Sequence, residues 1–124
     1  HLDKRLMKLI YAIKAGEDKI TALHDGNYFQ VVPEEIYYFE AVDNKIFIYL
    51  EKEVYETKRK LYELERLFQG TDFFRASKSC IVNLAKVKSL SPAFNGRFEA
   101  LMRNGERVMI SRQYVPILKE KLGL

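Results

Sequence analysis

Along most of the chain, short apolar segments alternate with polar turns, which is the pattern of an antiparallel β protein. The turn signals Asp25-Gly26-Asn27, Asn95-Gly96 and Asn104-Gly105 each favour a hairpin between two such segments. Strands are predicted over residues 19–23, 28–32, 36–42, 46–50, 54–55, 80–83, 87–90, 97–102 and 106–110. This spacing of strands and turns indicates a mostly β fold.

Three segments instead repeat apolar residues at helical spacing. The first, over residues 3–15, is an amphipathic helix, and the second covers residues 57–68 with Thr57 as its N-cap. The third covers residues 111–122, and either its first residue caps it with Pro116 just inside or it begins nearer Pro116. We therefore predict about ten short antiparallel strands in small sheets, one internal helix and short terminal helices.

Composition adds an uneven distribution of charge. The chain has 124 residues, which suits one domain, and a net charge of +4. Residues 71–124 hold ten Lys and Arg against four Asp and Glu, whereas residues 1–70 hold eleven against thirteen. A basic excess confined to one half is typical of nucleic-acid binding, although an ordinary solvated basic surface gives the same count.

The residues that catalysis and metal binding need are scarce. The two histidines, His1 and His24, are far apart, so no metal site built on His or Cys pairs is expected. The carboxylate pair Glu34-Glu35 falls in a turn, where solvated charge is the simpler interpretation. The single cysteine, Cys80, excludes an internal disulfide and lies in an apolar segment that predicts burial. We therefore predict a non-enzymatic protein without a cofactor or a bound metal.

The apolar segments are all shorter than the roughly 20 residues that a membrane-spanning helix requires. The chain also shows no signal-peptide pattern. From these two observations we expect a cytoplasmic protein with no membrane partner.

Polar, cationic segments at the ends of predicted elements offer hydrogen-bond donors. They are Asn44-Lys45, Ser77-Lys78-Ser79 and Ser111-Arg112-Gln113. For Arg112, a fork that grips guanine or phosphate competes with a surface salt bridge, and for Lys78, a base or phosphate contact competes with a solvated loop lysine. For Arg75, a phosphate contact and an internal ion pair are the two alternatives that the sequence leaves open. Donors without a catalytic partner suit an anionic ligand, and nucleic acid is the obvious large one.

The stretch over residues 74–83, FRASKSCIVN, resembles the signature of LytTR-type DNA-binding domains. Segments 36–41, 61–65 and 104–114 also fit the family pattern, so that the resemblance covers residues 18–122. It implies a mostly β fold of short antiparallel strands in three small sheets. It also implies that loops, rather than a helix, enter successive major grooves on one face of double-stranded DNA.

The resemblance assigns roles to the cationic segments by motif position. The base-reading loops would be Asn44-Lys45, Lys78 and Ser111-Arg112, and the phosphate contacts would be Ser77, Ser79 and Gln113. Apolar residues at 73–74 and 81–82 are expected to anchor the motif in the core, and Asn83 to fix the strand end. Lys86 and Lys88 are expected to contribute to binding of all DNA sequences about equally.

The family also suggests a context for the start of the chain. Residues 1–16 resemble the tail of a linker from an upstream receiver domain of a two-component response regulator, and residues 17–124 would form the DNA-binding domain. Dimeric occupancy of repeated half-sites is compatible with the family. We therefore predict a sequence-specific DNA-binding domain of a bacterial transcription regulator. The alternative is a protein-interaction module whose basic face meets an acidic partner, and binding of single-stranded RNA is a further variant.

Overall fold

The computed structural model describes residues 19–124, so the helix predicted over residues 3–15 lies outside the described residues. The described part of the chain contains ten strands and two α-helices, joined by short turns. The strands are β1 (Ile20–His24), β2 (Asn27–Val31), β3 (Tyr38–Val42), β4 (Lys45–Tyr49), β5 (Val54–Thr57), β6 (Phe73–Ser77), β7 (Cys80–Asn83), β8 (Val87–Pro92), β9 (Phe98–Met102) and β10 (Arg107–Ile110). The prediction of a mostly β fold is confirmed.

The strands form two antiparallel sheets rather than the three small sheets that the family resemblance implied. The larger sheet has seven strands in the order β2-β1-β5-β4-β3-β7-β6, and the smaller has three in the order β10-β9-β8. The larger sheet extends to seven strands because β7 pairs with β3, from Tyr38 opposite Val82 to Glu40 opposite Cys80. This pairing places the β6–β7 turn beside the β3–β4 turn.

The internal helix, α1 (Leu61–Leu67), begins later than predicted. Thr57, the predicted N-cap, is instead the last residue of β5 and pairs with Ile46 of β4. The backbone amide of Lys60 donates to Glu63 Oε1 at 3.0 Å and so satisfies one of the free amides at the helix start. The prediction of Thr57 as the N-cap was wrong because Thr57 pairs with the neighbouring strand as part of β5, and the helix begins only at Leu61.

The C-terminal helix, α2 (Val115–Leu122), follows a 3₁₀ turn over Arg112–Tyr114. Pro116 lies in its first turn, where the missing amide removes no intrahelical hydrogen bond. Gly123 ends the helix with φ of 73°, a left-handed conformation that glycine adopts without strain. Of the two predicted helix starts, the later one near Pro116 is confirmed.

The central strands of the larger sheet are covered on both faces. In β3, the consecutive residues Tyr38 and Phe39 are both buried but belong to different core clusters. Phe39 shares its cluster with Leu64 of α1, whereas Tyr38 shares its cluster with Ile110 of the smaller sheet and Leu118 of α2. Because successive side chains of a strand point to opposite faces, a strand covered on both faces needs consecutive apolar residues.

Candidate nucleic-acid interface

The cationic segments predicted from the sequence lie at one edge of the fold. The β3–β4 hairpin turns just before Lys45, and the amide of Ala41 in the same hairpin donates to the Ser79 carbonyl at 2.8 Å. The Ser111 amide donates to the Ala76 carbonyl at 2.8 Å, which ties the end of β10 to the β6–β7 turn. Neighbouring strands lie about 4.8 Å apart, so the segments follow one another along this side. We call the edge formed by residues 43–45, 77–79 and 111–113 the cationic edge.

The β3–β4 turn has a backbone that few residue types adopt easily. Asp43 and Asn44 have φ of 51° and 65°, and two successive left-handed residues match the right-handed twist of a two-residue hairpin. Asp and Asn tolerate this conformation because their short side chains can hydrogen-bond locally. The Asn44 and Lys45 side chains are exposed. The turn therefore presents an amide and an ammonium group to solvent.

The β6–β7 turn brings together two hydroxyl groups and an ammonium group. The Ser79 amide donates to Ser77 Oγ at 3.2 Å, and the two hydroxyl oxygens lie 3.4 Å apart. The β6–β7 pairing shifts register between Arg75 and Ser77, which re-aims the end of the strand. Lys78 and Ser79 are exposed, and Ser77 is half-buried. These groups suit a phosphate, which accepts several hydrogen bonds at once.

The structure decides between the two interpretations of Arg75. Arg75 Nη2 donates to Glu65 Oε1 at 3.0 Å, and Nη1 donates to the Lys78 carbonyl at 2.8 Å. The Arg75 side chain is 14% exposed, and its Nε has no hydrogen-bond partner among the described residues. Arg75 is therefore part of an internal ion pair, and it ties the turn that carries Lys78 to α1.

The third segment begins with a 3₁₀ turn in which the Tyr114 amide donates to the Ser111 carbonyl at 2.9 Å. Arg112 and Gln113 are exposed, and within residues 19–124 Arg112 forms no ion pair. A Cβ at Gly96 would lie 3.0 Å from Arg112 Cδ, closer than the usual carbon contact of about 3.5–4.0 Å. Gly96 thus lets the stem of Arg112 lie against the β8–β9 turn while the guanidinium stays exposed.

A cleft of about 240 Å³ lies behind the cationic edge, between the two sheets. Its lining includes Glu40, Ser77, Ser79, Arg107 and Ser111. The Tyr49 hydroxyl donates to Glu40 Oε1 at 3.1 Å. The pKa of Tyr49 is raised, mainly by burial and secondly by this hydrogen bond. The lining thus holds one carboxylate, Glu40, and one guanidinium, Arg107, which is itself paired with Glu99, so the cleft carries no excess of positive charge.

Other residues of the 74–83 motif are structural. Asn83 is buried, its Nδ2 donates to the Ile36 carbonyl at 2.8 Å, and its Oδ1 accepts from the Ala85 amide at 3.1 Å. The expectation that Asn83 fixes the strand end is confirmed. Cys80 is buried as predicted, and burial raises the pKa of its thiol to about 12, so it is protonated at neutral pH.

Lys86 and Lys88 were expected to contact DNA of any sequence. Lys86 ends the 3₁₀ turn before β8 and Lys88 is the second residue of that strand, at the end remote from the cationic edge. The Lys86 ammonium lies 5.5 Å from the centre of the Tyr37 ring, and the Lys86 carbonyl accepts from the Arg103 amide at 2.9 Å. Their position therefore does not support a role in DNA contact. Conversely, the sequence marks Asn95-Gly96 as a turn but carries no signal that Arg112 packs against it.

The chemistry that the cationic edge offers is donation of hydrogen bonds and positive charge. In the part of the chain that the structure describes, no three His, Cys, Asp or Glu side chains are close enough together to hold a metal ion. No helix of the same residues is long and apolar enough to cross a membrane.

An antiparallel β domain with exposed donors on its turns has the character of a domain that binds nucleic acid through loops. The family model for the LytTr DNA-binding domain matches residues 26–123. The chain therefore belongs to the LytTr DNA-binding domain family.

Individual relatives agree with this assignment. The chain is 33% identical over 109 residues to the sensory transduction protein LytT of Enterococcus faecalis, covering 88% of this chain and 42% of that protein. It is 27% identical over 108 residues to the transcriptional regulatory protein YpdB of Escherichia coli K12, covering 86% and 44%. A solved LytTr DNA-binding domain from Bacillus cereus superposes with a TM-score of 0.81 at 30% identity, covering 86% of this chain and 97% of that one. The chain thus spans less than half the length of these curated relatives.

Proposed function

We propose that this chain is the sequence-specific, double-stranded DNA-binding domain of a bacterial transcription regulator. The observation that carries the proposal is the convergence of Lys45, Lys78 and Arg112 on one edge. Each is exposed, and each lies in or directly after a turn that backbone hydrogen bonds hold in place. A row of donors on rigid turns can enter a groove and meet base edges. Base contacts provide specificity, and phosphate contacts provide position and much of the affinity.

Within this proposal, Asn44, Lys45, Lys78, Ser111 and Arg112 read bases in successive major grooves, and Ser77, Ser79 and Gln113 bind phosphates. Arg112 suits guanine, because its planar guanidinium can donate to O6 and N7 together. The Ser77 and Ser79 hydroxyls suit phosphate, because they lie side by side at the rim of the β6–β7 turn. The domain acts by binding, without catalysis or a cofactor.

For the whole protein, we propose that residues 1–16 link an upstream receiver domain to the DNA-binding domain of residues 17–124. Two copies would occupy repeated half-sites on DNA, and the protein would work in the cytoplasm. The LytT and YpdB relatives support the proposal of a longer protein, because each is more than twice as long as the part that this chain matches.

Selection from a random pool of DNA duplexes tests the proposal. We expect an enriched sequence that binds about 10³-fold or more tightly than a scrambled duplex, with an affinity that falls as salt rises. Equal enrichment of all sequences, or binding that salt does not change, would contradict it.

Two competitors separate the alternatives. Single-stranded RNA that displaces the selected duplex at equal concentration would favour the RNA-binding variant. An acidic polypeptide such as polyglutamate that binds more tightly than the duplex would favour a protein-interaction module. We expect neither to compete at concentrations near the Kd of the selected duplex.

A further inference from the structure

A second run of cations lies beside the cationic edge and has no role in the function proposed above. Residues Lys58, Arg59 and Lys60 follow the end of β5, where Thr57 pairs with Ile46 of β4. Ile46 is the neighbour of Lys45, so the run begins next to the first cationic segment, about one strand spacing of 4.8 Å away. The three cations therefore continue the same row of turns by one strand.

The charges of this run are available to a ligand. All three side chains are exposed, and none forms an ion pair with another residue in the range 19–124. Two carboxylates, Glu56 and Glu63, line a cleft together with Lys58 and Arg59, but both are half-buried. The Glu63 carboxylate also accepts a hydrogen bond from the Lys60 amide at 3.0 Å, so part of its hydrogen-bonding capacity is used at the start of α1. The exposed charge of the segment is thus mainly positive.

We infer that Lys58, Arg59 and Lys60 form a fourth DNA-contacting segment, which binds backbone phosphates flanking the bases read by Lys45. This inference rests on the proposed function. About half to two-thirds of protein–DNA hydrogen bonds go to phosphate and sugar, and three consecutive cations just outside the base-reading segments fit such contacts. DNA within reach of Lys45 lies one strand spacing from the run. The segment therefore adds affinity for any sequence and does not change which bases are preferred.

The test replaces the three charges with neutral polar side chains, in the variant Lys58→Gln, Arg59→Gln, Lys60→Gln. The matched control is Lys52→Gln, Lys86→Gln, Arg103→Gln, which removes the same charge from the end of the fold remote from the cationic edge. The Kd for the selected duplex is measured between 50 and 200 mM salt for both variants and the parent. Thermal unfolding checks that each variant is folded. If a triple variant does not fold, a double variant takes its place: Lys58→Gln with Arg59→Gln for the test, and Lys52→Gln with Arg103→Gln for the control.

If each cation binds one phosphate, the slope of log Kd against log salt falls by about 2.7, so the ratio of Kd at 200 mM to Kd at 50 mM falls about 40-fold. The control should lower the slope by less than about one. Relative preference among singly substituted duplexes should stay unchanged. Equal slopes for the two triple variants, or an unchanged slope in the first, would overturn the inference. A parent domain that selects no sequence would instead contradict the proposed function.

Discussion

The two ends of the same β strands use their polar residues differently. At the cationic edge, the turns present Lys45, Lys78 and Arg112 to solvent. We call the other end, formed by residues 50–53, 86 and 103–106, the opposite edge. There, polar groups form hydrogen bonds to other parts of the same fold. Asn104 Nδ2 donates to the Glu51 carbonyl at 3.3 Å and thereby joins the two sheets. A hydrogen bond joins the two sheets at the cationic edge as well, from the Ser111 amide to the Ala76 carbonyl, but the three exposed cations there form no ion pair among residues 19–124 and are available to a partner.

Charge follows the same division. The opposite edge places the carboxylates of Glu51, Glu53 and Glu106 near a similar number of cations. On the cationic edge, Asp43 is the one acidic residue among residues 43–45, 77–79 and 111–113. The modest net charge of +4 therefore hides a local positive field. Such a field attracts DNA and speeds its association, because local charge rather than net charge acts at short range.

The largest effect is expected when an arginine is removed from the cationic edge, and the same change at the opposite edge serves as the comparison. Arg112→Ala should weaken binding to the selected duplex by about 1–3 kcal/mol and relax preference at one base pair, because a bidentate contact to a base is lost. Arg103→Ala, at the opposite edge, should leave both properties close to those of the parent. Titration against the selected duplex and a set of singly substituted duplexes measures both. Unchanged affinity for Arg112→Ala would show that this arginine does not read a base.

A smaller effect is expected from the ion pair behind the cationic edge. Arg75→Ala should lower the free energy of unfolding by about 2 kcal/mol, because the Lys78 carbonyl and Glu65 lose a shielded charged donor. Glu65→Gln should cost less than about 1 kcal/mol, because Glu65 is 49% exposed and water replaces part of the interaction. Urea unfolding measures both values. An Arg75→Ala protein of unchanged stability but weaker DNA binding would mean that Arg75 contacts DNA directly.

A pair of glycines separates support of Arg112 from ordinary turn strain. Gly96 and Gly105 have φ of 74° and 90°, so alanine at either should cost about 1 kcal/mol of stability. Only alanine at Gly96 would also press on the Arg112 stem, since Gly105 has no atom within 4 Å of the added Cβ. We therefore expect Gly96→Ala, but not Gly105→Ala, to weaken DNA binding several-fold.

A double-variant cycle makes this prediction specific. In an Arg112→Ala protein, Gly96→Ala should have little further effect on the Kd, because the side chain that it displaces is gone. An additional several-fold loss in that background would mean that the β8–β9 turn contacts DNA independently of Arg112.

The smallest effect concerns Cys80, which lies directly behind the cationic edge. Burial and then the nearby Glu40 raise the pKa of this thiol from 9.0 to about 12, and Arg75 opposes the shift only in part. Because the folded-state pKa is the higher one, the contribution of Cys80 to stability is constant below pH 9.0 and declines between pH 9.0 and about 12. Stability of the parent should therefore fall more steeply over this range than that of Cys80→Ala.

Urea unfolding at several pH values tests this sign. Tyr38 is present in both proteins, and burial is the largest cause of its raised pKa while Cys80 is the smallest, so most of its titration cancels in the difference. A parent whose stability rises relative to Cys80→Ala above pH 9 would show that the cationic edge, rather than burial, controls the thiol.

Local patterns predicted most strands because apolar residues and turn signals alternate over short distances. The Asp25-Gly26-Asn27 signal illustrates the strength of this reasoning, since the chain turns there between the paired strands β1 and β2. Thr57 shows its weakness. A threonine before a helical pattern can cap the helix or end a strand, and its pairing with Ile46 decided for the strand. The same applies to Arg75, because its partner Glu65 lies on another element.

By itself, the sequence determined the class of fold, the family and the segments that carry exposed donors, because these depend on residue type and on spacing over a few positions. The tertiary structure decided which segments share an edge. Pairing of β7 with β3 brings the turn at Lys78 to the turn at Lys45, and the hydrogen bond from Ser111 to Ala76 adds the segment with Arg112. The tertiary structure also placed Lys86 away from the cationic edge. These outcomes depend on hydrogen bonds and burial between distant parts of the chain, which local periodicity does not encode.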